Sequence, residues 1–138
     1  MASLIFNNLF LAWANGDIAF DVDTFRRTLH TSAYTEDKDA HTHFDDATNE
    51  ITGTGYTAGG EVTSVTVALD TVNDRLNLTF GANSWPASTL TMRKSVVRKA
   101  RGGAASADEL VLVNDQGTDR VTSAGTLSHE ADILRIQN

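Results

Sequence analysis

The chain is expected to fold as a mainly β protein: an antiparallel β-sandwich or barrel with one short N-terminal helix. Three observations lead there. Short runs of alternating apolar and polar residues recur every ~8–12 residues, with turn residues between them. Helical spacing of apolar residues is confined to the first sixteen positions. The single proline, Pro86, follows Trp85 in what reads as a turn, so it interrupts no strand.

The elements follow in order. "SLIFNNLFLAWANG" opens on Ser3, a candidate helix N-cap, and closes on Asn15-Gly16, a helix-stop signal. Leu4, Ile5, Leu9 and Ala12 or Trp13 recur at helical spacing. Residues 1–16 therefore read as a helical segment. It is apolar on more than one face and needs a core or a partner to bury against. The sandwich takes residues 24–137. "TFRRTLHTS" is a strand with Phe25, Arg27 and Leu29 on one side. "EVTSVTVALD" alternates through Val65, Val67 and Leu69, and "RLNLTF" through Leu76, Leu78 and Phe80. Val72, Asn73 and Asp74 make the hairpin turn between them. "STLTMRKSVVRK" adds a strand with Leu90 and Met92 on one face. "ELVLVN" suits a strand buried on both faces, and "GTLSHEADILRIQ" reads as a last hairpin turning near Ala131-Asp132. "RGGAASA" reads as a mobile loop. The 138 residues make one domain with room for one core.

Composition narrows the function. There is no cysteine, so a disulfide framework, a thiolate metal site and a cysteine nucleophile are excluded. The net charge of −7 disfavours nucleic acid as a direct partner. The longest apolar stretch, "LFLAWA", is far short of a membrane span. No basic segment precedes it, and it reads as part of the mature fold.

Gly53, Gly55, Gly59 and Gly60 raise the question of a phosphate loop. Glu61 stands where a Walker loop needs lysine, and no helix follows, so neither a P-loop nor a dinucleotide fingerprint fits. A structural corner is expected instead: Gly55, Gly59 and Gly60 let the chain turn at positive φ, and Tyr56 plugs the bend with its ring while its hydroxyl finds a partner.

"TEDKDAHTHFDD" puts Asp37, Asp39, His41, His43 and Asp45 at one parity, a metal-ligand pattern if the chain were extended. With only Ala40 and Phe44 on the other side, a solvated loop is the expected state and no metal is assigned. No G-x-S-x-G elbow is present, and nothing nominates a triad among His30, His41, His43 and His129. No catalytic residue, cofactor or enzymatic activity is expected. Charge is asymmetric. Arg93, Lys94, Arg98, Lys99 and Arg101 cluster late, whereas acidic residues crowd positions 17–50. These cations are candidate contacts to an oppositely charged surface, alongside Phe6, Phe10 and Trp13 of the N-terminal segment. The bland alternative is a set of solvated strand ends.

The stretch "YTEDKDAHTHFDDATNEITGTGYTAGG" resembles a family of small tailed-phage virion proteins, the head decoration or cement proteins. Tyr34, Thr35, Asp37, Asp39 and His41 match its loop. Glu50, Ile51, Gly53, Gly55, Tyr56, Gly59 and Gly60 match its corner. Trp85 with "STLTMR", and "TLSHEADILRI", are similar to its later strand and closing hairpin. The likeness covers most of the chain and is weakest over residues 99–119. Arg93, Lys94, Arg98 and Lys99 depart from the more apolar strand of the relatives, which hints at a specialised contact. The resemblance implies a jelly-roll fold and a structural role on the outer surface of the capsid, after synthesis in the bacterial host cytoplasm. The implied partner is the major capsid protein, whose neighbouring subunits would be cemented against internal DNA pressure. A second copy of the chain is also expected, a homodimer before a trimer, because two-fold pairs are commonest. A tail or receptor-binding module is the alternative role.

Overall fold

The structure is a computed structural model that describes residues 2–138. In chain order its elements are β1 (Ala2–Ile5), α1 (Asn8–Ala14), β2 (Phe25–His30), β3 (Glu61–Thr63), β4 (Val65–Asp70), β5 (Arg75–Phe80), β6 (Asn83–Ser88), β7 (Thr91–Lys99), β8 (Leu110–Val121), β9 (Gly125–His129) and β10 (Asp132–Gln137). Five strands form one antiparallel sheet in the order β1-β8-β7-β2-β3. The others pair as β10-β5-β4 and β6-β9.

These last two ladders behave as one bent sheet. Asp132 lies opposite Phe80, and three residues further along each strand His129 lies opposite Asn83, so the register is unbroken across the bend. Chain β5–β6 thus runs beside chain β9–β10, and both kink together. The bent sheet packs on one face of the five-stranded sheet, giving an antiparallel β-sandwich with one short helix, as the sequence predicts. Strand order carries that architecture and no finer topology.

Period-two burial explains the packing. Along β2, Phe25, Arg27 and Leu29 face the bent sheet, while Thr28 and His30 face away. Phe25 joins Phe20, Phe80, Leu78, Leu134, Val97 and Val111 in one cluster, with α1 contributing Leu9 and Ala12. Leu29 joins Ile51, Trp85, Leu90, Met92 and Leu127 in a second. Arg27 sits between them at the kink, wholly buried. Its guanidinium donates to Asp132 at 2.7 Å, to the Gly81 carbonyl at 2.9 Å and to Asn83 Oδ1 at 2.8 Å. Asp132 also accepts from Asn114 of β8, whose own Oδ1 accepts from Ser3 of β1. The opposite face of the five-stranded sheet is covered by the loop 31–50, which lays Tyr34 and Ala47 on Phe6, Val96, Leu110 and Val113.

Four sequence expectations change. Ser3 belongs to β1 and Asn7 holds the helix N-cap, because Leu4 and Ile5 point to opposite clusters, as strand residues must. The run from Glu61 to Asp70 is two strands, broken at Ser64, so that β3 joins one sheet and β4 the other. Ala131-Asp132 is a bend in a continuing strand and not a hairpin, since β9 and β10 pair with different segments of one neighbour. Pro86 lies inside β6, at a register shift between Trp85 and Ser88, where a bulge asks nothing of its missing N–H.

Breaking the buried ion pair should be costly, because it strands a charge in the core. Arg27→Met is expected to lower unfolding free energy by about 3–5 kcal/mol, and Asp132→Leu by a similar amount. The double variant should recover part of that loss. Urea unfolding of the cycle checks this, and additive losses would contradict it.

Candidate functional site

The glycine corner holds the expected position and geometry. Tyr56 is held against Trp85, with ring centroids 6.2 Å apart. Its hydroxyl donates to Glu50 Oε1 at 2.6 Å and accepts from the Leu29 amide at 3.1 Å. Glu50 Oε1 also accepts from the Gly59 amide at 2.7 Å. Burial first, and then the Glu50 carboxylate, push the Tyr56 phenol well above its ordinary pKa, so it stays a neutral donor. Gly60 has φ of 72°, and a Cβ there would meet the Arg27 carbonyl oxygen at 1.9 Å. The corner therefore clamps the chain onto the backbone of β2, and its Gly59 and Gly60 amides donate to Glu50 and to the Thr57 carbonyl.

The five late cations all carry a carboxylate partner within the chain. Arg93 pairs with Asp115 at 2.6 Å, Lys94 with Glu36, Arg98 with Asp108, Lys99 with Asp23 at 2.9 Å and Arg101 with Glu109 at 2.5 Å. They staple β7 to β8 and to the acidic loops. Lys94 also donates to the Tyr34 carbonyl, and the Arg98 guanidinium lies 4.0 Å above the Phe44 ring. Lys94, Arg98 and Phe6 belong to the interior, so they are not surface contacts. Phe10 is 47% exposed, and Trp13 is half-buried, edge-on to Phe20. Arg101 is exposed at the rim of a shallow cavity of about 530 Å³, where Arg26, Arg98 and Arg101 meet Asp108, Phe44 and Gly59. The Arg26 guanidinium donates to the Gly59 and Gly60 carbonyls. Sequence reasoning missed it, since its place beside Arg98 depends on β2 pairing with β7.

The loop 35–46 is solvated only in part. Asp37 caps the Asp39 and Ala40 amides in an exposed turn. His41, Phe44 and Asp46 then fold back over the sheet. The shared parity of the acids and histidines is lost in that turn. Among the described residues no group of three or more His, Asp or Glu side chains is placed to hold a metal ion.

Two buried histidines are hydrogen-bonded through both ring nitrogens. His30 Nδ1 donates to the Thr48 carbonyl at 2.7 Å, leaving Nε2 to accept from Thr28 Oγ1 at 2.9 Å. His129 Nδ1 donates to the Glu130 carbonyl at 2.7 Å, leaving Nε2 to accept from Ser95 Oγ at 2.7 Å. Ser95–His129 has the separation of a nucleophile and its base. Ser95 has no exposed surface, however, and no substrate carbonyl reaches its Oγ in this arrangement. The pair ties β7 to β9, and nothing in the spacing of residues 95 and 129 announces it. Burial lowers both imidazole pKa values. The Arg27 charge adds to this at His129, while the Thr48 and Glu130 carbonyls oppose it.

Comparison with protein-family models, with curated proteins and with solved structures finds no match for this chain.

Two outcomes are expected. Gly60→Ala should destabilise by roughly 3 kcal/mol, from positive φ plus the clash with β2, whereas Gly102→Ala, also at positive φ but facing open space, should cost less. Thermal melts of both variants check the difference. Secondly, the two histidines are neutral in the fold and titrate near 6.5 when unfolded. Their contribution is fully present above that pH and declines as pH falls below it, because the unfolded chain takes up protons that the fold refuses. Urea unfolding across this range should show the slope, and His30→Gln with His129→Gln should flatten it.

Proposed function

We propose that this protein is a structural virion component that binds the outside of a tailed-phage capsid and cements neighbouring major capsid subunits. The corner supports the reading. The residues that carry the resemblance to cement proteins (Glu50, Ile51, Gly53, Gly55, Tyr56, Gly59 and Gly60) lie in one segment, and its Glu50, Tyr56, Gly59 and Gly60 interlock over β2. A motif whose members hold one another in place belongs to a scaffold, and a scaffold is what such a resemblance transfers.

The mechanism is thermodynamic. A ligand that binds only the expanded shell stabilises it by mass action. Contacts of a few kcal/mol per copy, repeated over the many equivalent sites of a shell, add up against outward DNA pressure. No cofactor or catalytic group is needed. The sandwich serves as a stiff plug, because both faces of its five-stranded sheet are packed. Phe10 of α1, which is exposed, and Arg26 and Arg101 on the wall of the cavity beside Gly59 are features through which it would grip the shell.

Purified protein is expected to rebind capsids stripped of it and to raise their melting temperature. Copies per particle should be comparable to those of the major capsid protein. A handful per particle would assign it to the tail instead, and stripped shells of unchanged heat stability would sink the cement role.

A further inference from the structure

Strand β4 ends the bent sheet, and its outer backbone edge pairs with no described residue. Natural edges are usually blunted by charge, proline or a bulge. The opposite edge strand, β10, carries Asp132 and Arg135, whereas the charge of β4 is confined to its last residue, Asp70, which is ion-paired with Arg75 at 3.0 Å. Val62, Val67, Leu69 and Val72 are nevertheless exposed, Leu69 at 73%. The row Leu69–Leu76–Ile136 runs straight across the sheet at its free end, and the next row is Val67–Leu78–Leu134. In both rows the β4 residue is the most exposed.

The occupant is constrained by this geometry. An open edge takes an extended strand, and apolar side chains must continue the two rows on the same face. A second β4 does both. With a two-fold axis through Val67, perpendicular to the sheet, Val67 meets its own copy, Leu69 meets Val65 of the other copy, and Thr66 meets Ala68. Exposed Leu69 is then covered by a residue that is already half-buried at the other end of the strand. Charge matters here, because two chains of net charge −7 repel, and in this register Asp70, already paired with Arg75, falls opposite Ser64, so no like charges meet in the seam. We infer that β4 is a self-recognising edge, through which two copies join antiparallel into one continuous six-stranded sheet. This holds whether or not the protein sits on a shell.

The test uses the free, full-length chain. Sedimentation over a concentration series should show a monomer–dimer equilibrium. Val67→Lys, at an exposed position, should weaken the dimer by roughly 100-fold by setting two ammonium groups face to face. A circular-dichroism melt confirms that the variant folds. Ile133→Lys, on β10, should leave the equilibrium unchanged. Because the chain has no cysteine, Val67→Cys provides an independent reading. Opposed residues of antiparallel strands lie about 4.5–5.5 Å apart at Cα, within disulfide reach. Mild oxidation should link Val67→Cys into covalent dimers and leave Ile133→Cys unlinked. A wild-type monomer at every concentration, or a Val67→Lys variant that dimerises normally, overturns the inference. Neither result would bear on shell binding, which is read from rebinding to stripped capsids.

Discussion

The structure depends on one buried guanidinium. Arg27 sits where the bent sheet changes direction, and the kink exposes backbone and side-chain acceptors that need a donor. Its hydrogen bonds to Gly81, Asn83 and Asp132 fasten both bent chains to β2 at once. A lone cation there would be too costly to bury, so Asp132 is obligatory, and Asn114 and Ser3 extend the network to β8 and β1. Apolar clusters lie on either side, one around Phe25 and one around Leu29. Hydrophobic burial drives the two sheets together, but the polar centre sets how they are aligned. A one-residue slip of β10 would remove Asp132 from Arg27 and turn Leu134 outward.

Charge elsewhere is used in the same inward way. The acidic excess suggests a molecule that meets partners through its field, yet Arg93, Lys94, Arg98, Lys99 and Arg101 are each matched by a carboxylate of the same chain. Salt bridges of this kind stabilise modestly where exposed. Lys94 and Arg98 have a further role. With Tyr34 and Phe44 above them, they hold the loop 31–50 as a lid over the outer face of the five-stranded sheet. That lid gives Val96, Leu110 and Val113 a covered side, which a bare sheet face would lack.

Much of this was legible in the sequence. Alternation identified β2 and β5 and placed Arg27 on the same face as Phe25 and Leu29, while a continuous apolar run identified the both-sided start of β8. The Gly-Tyr corner was legible because φ > 0 and a buried hydroxyl leave local marks. What escaped was long-range. Arg27 and Asp132 are 105 positions apart, and nothing near either says they meet. Ser3 looks like a cap, but a strand of four residues has too little period to overrule a helical pattern. The bend at residues 130–131 looks like a turn because a kink and a hairpin share the same polar, small residues. The candidate contacts were legible as residue types only, since burial of Phe6, Lys94 and Arg98 depends on what covers the sheet.

With polar groups so thoroughly consumed inside, the surface that remains for recognition is distinguished by what it lacks. Paired charges at the rim can tune an encounter, but each must first be released from its partner, so they contribute little net affinity. Unpaired backbone edges and exposed apolar rows carry no such cost. They already lack partners, and covering them releases water at roughly 25 cal/mol per Å². The Val67–Leu69 stretch of β4 combines both properties, on the part of the bent sheet that leads away from Arg27. The stiffness that the buried network imposes is what makes this useful. An edge held in register by β5 presents its strand already extended, so pairing costs little backbone entropy. Rigid interior and sticky margin are thus two consequences of one arrangement: polar groups that align the sandwich leave an apolar edge as its cheapest point of contact.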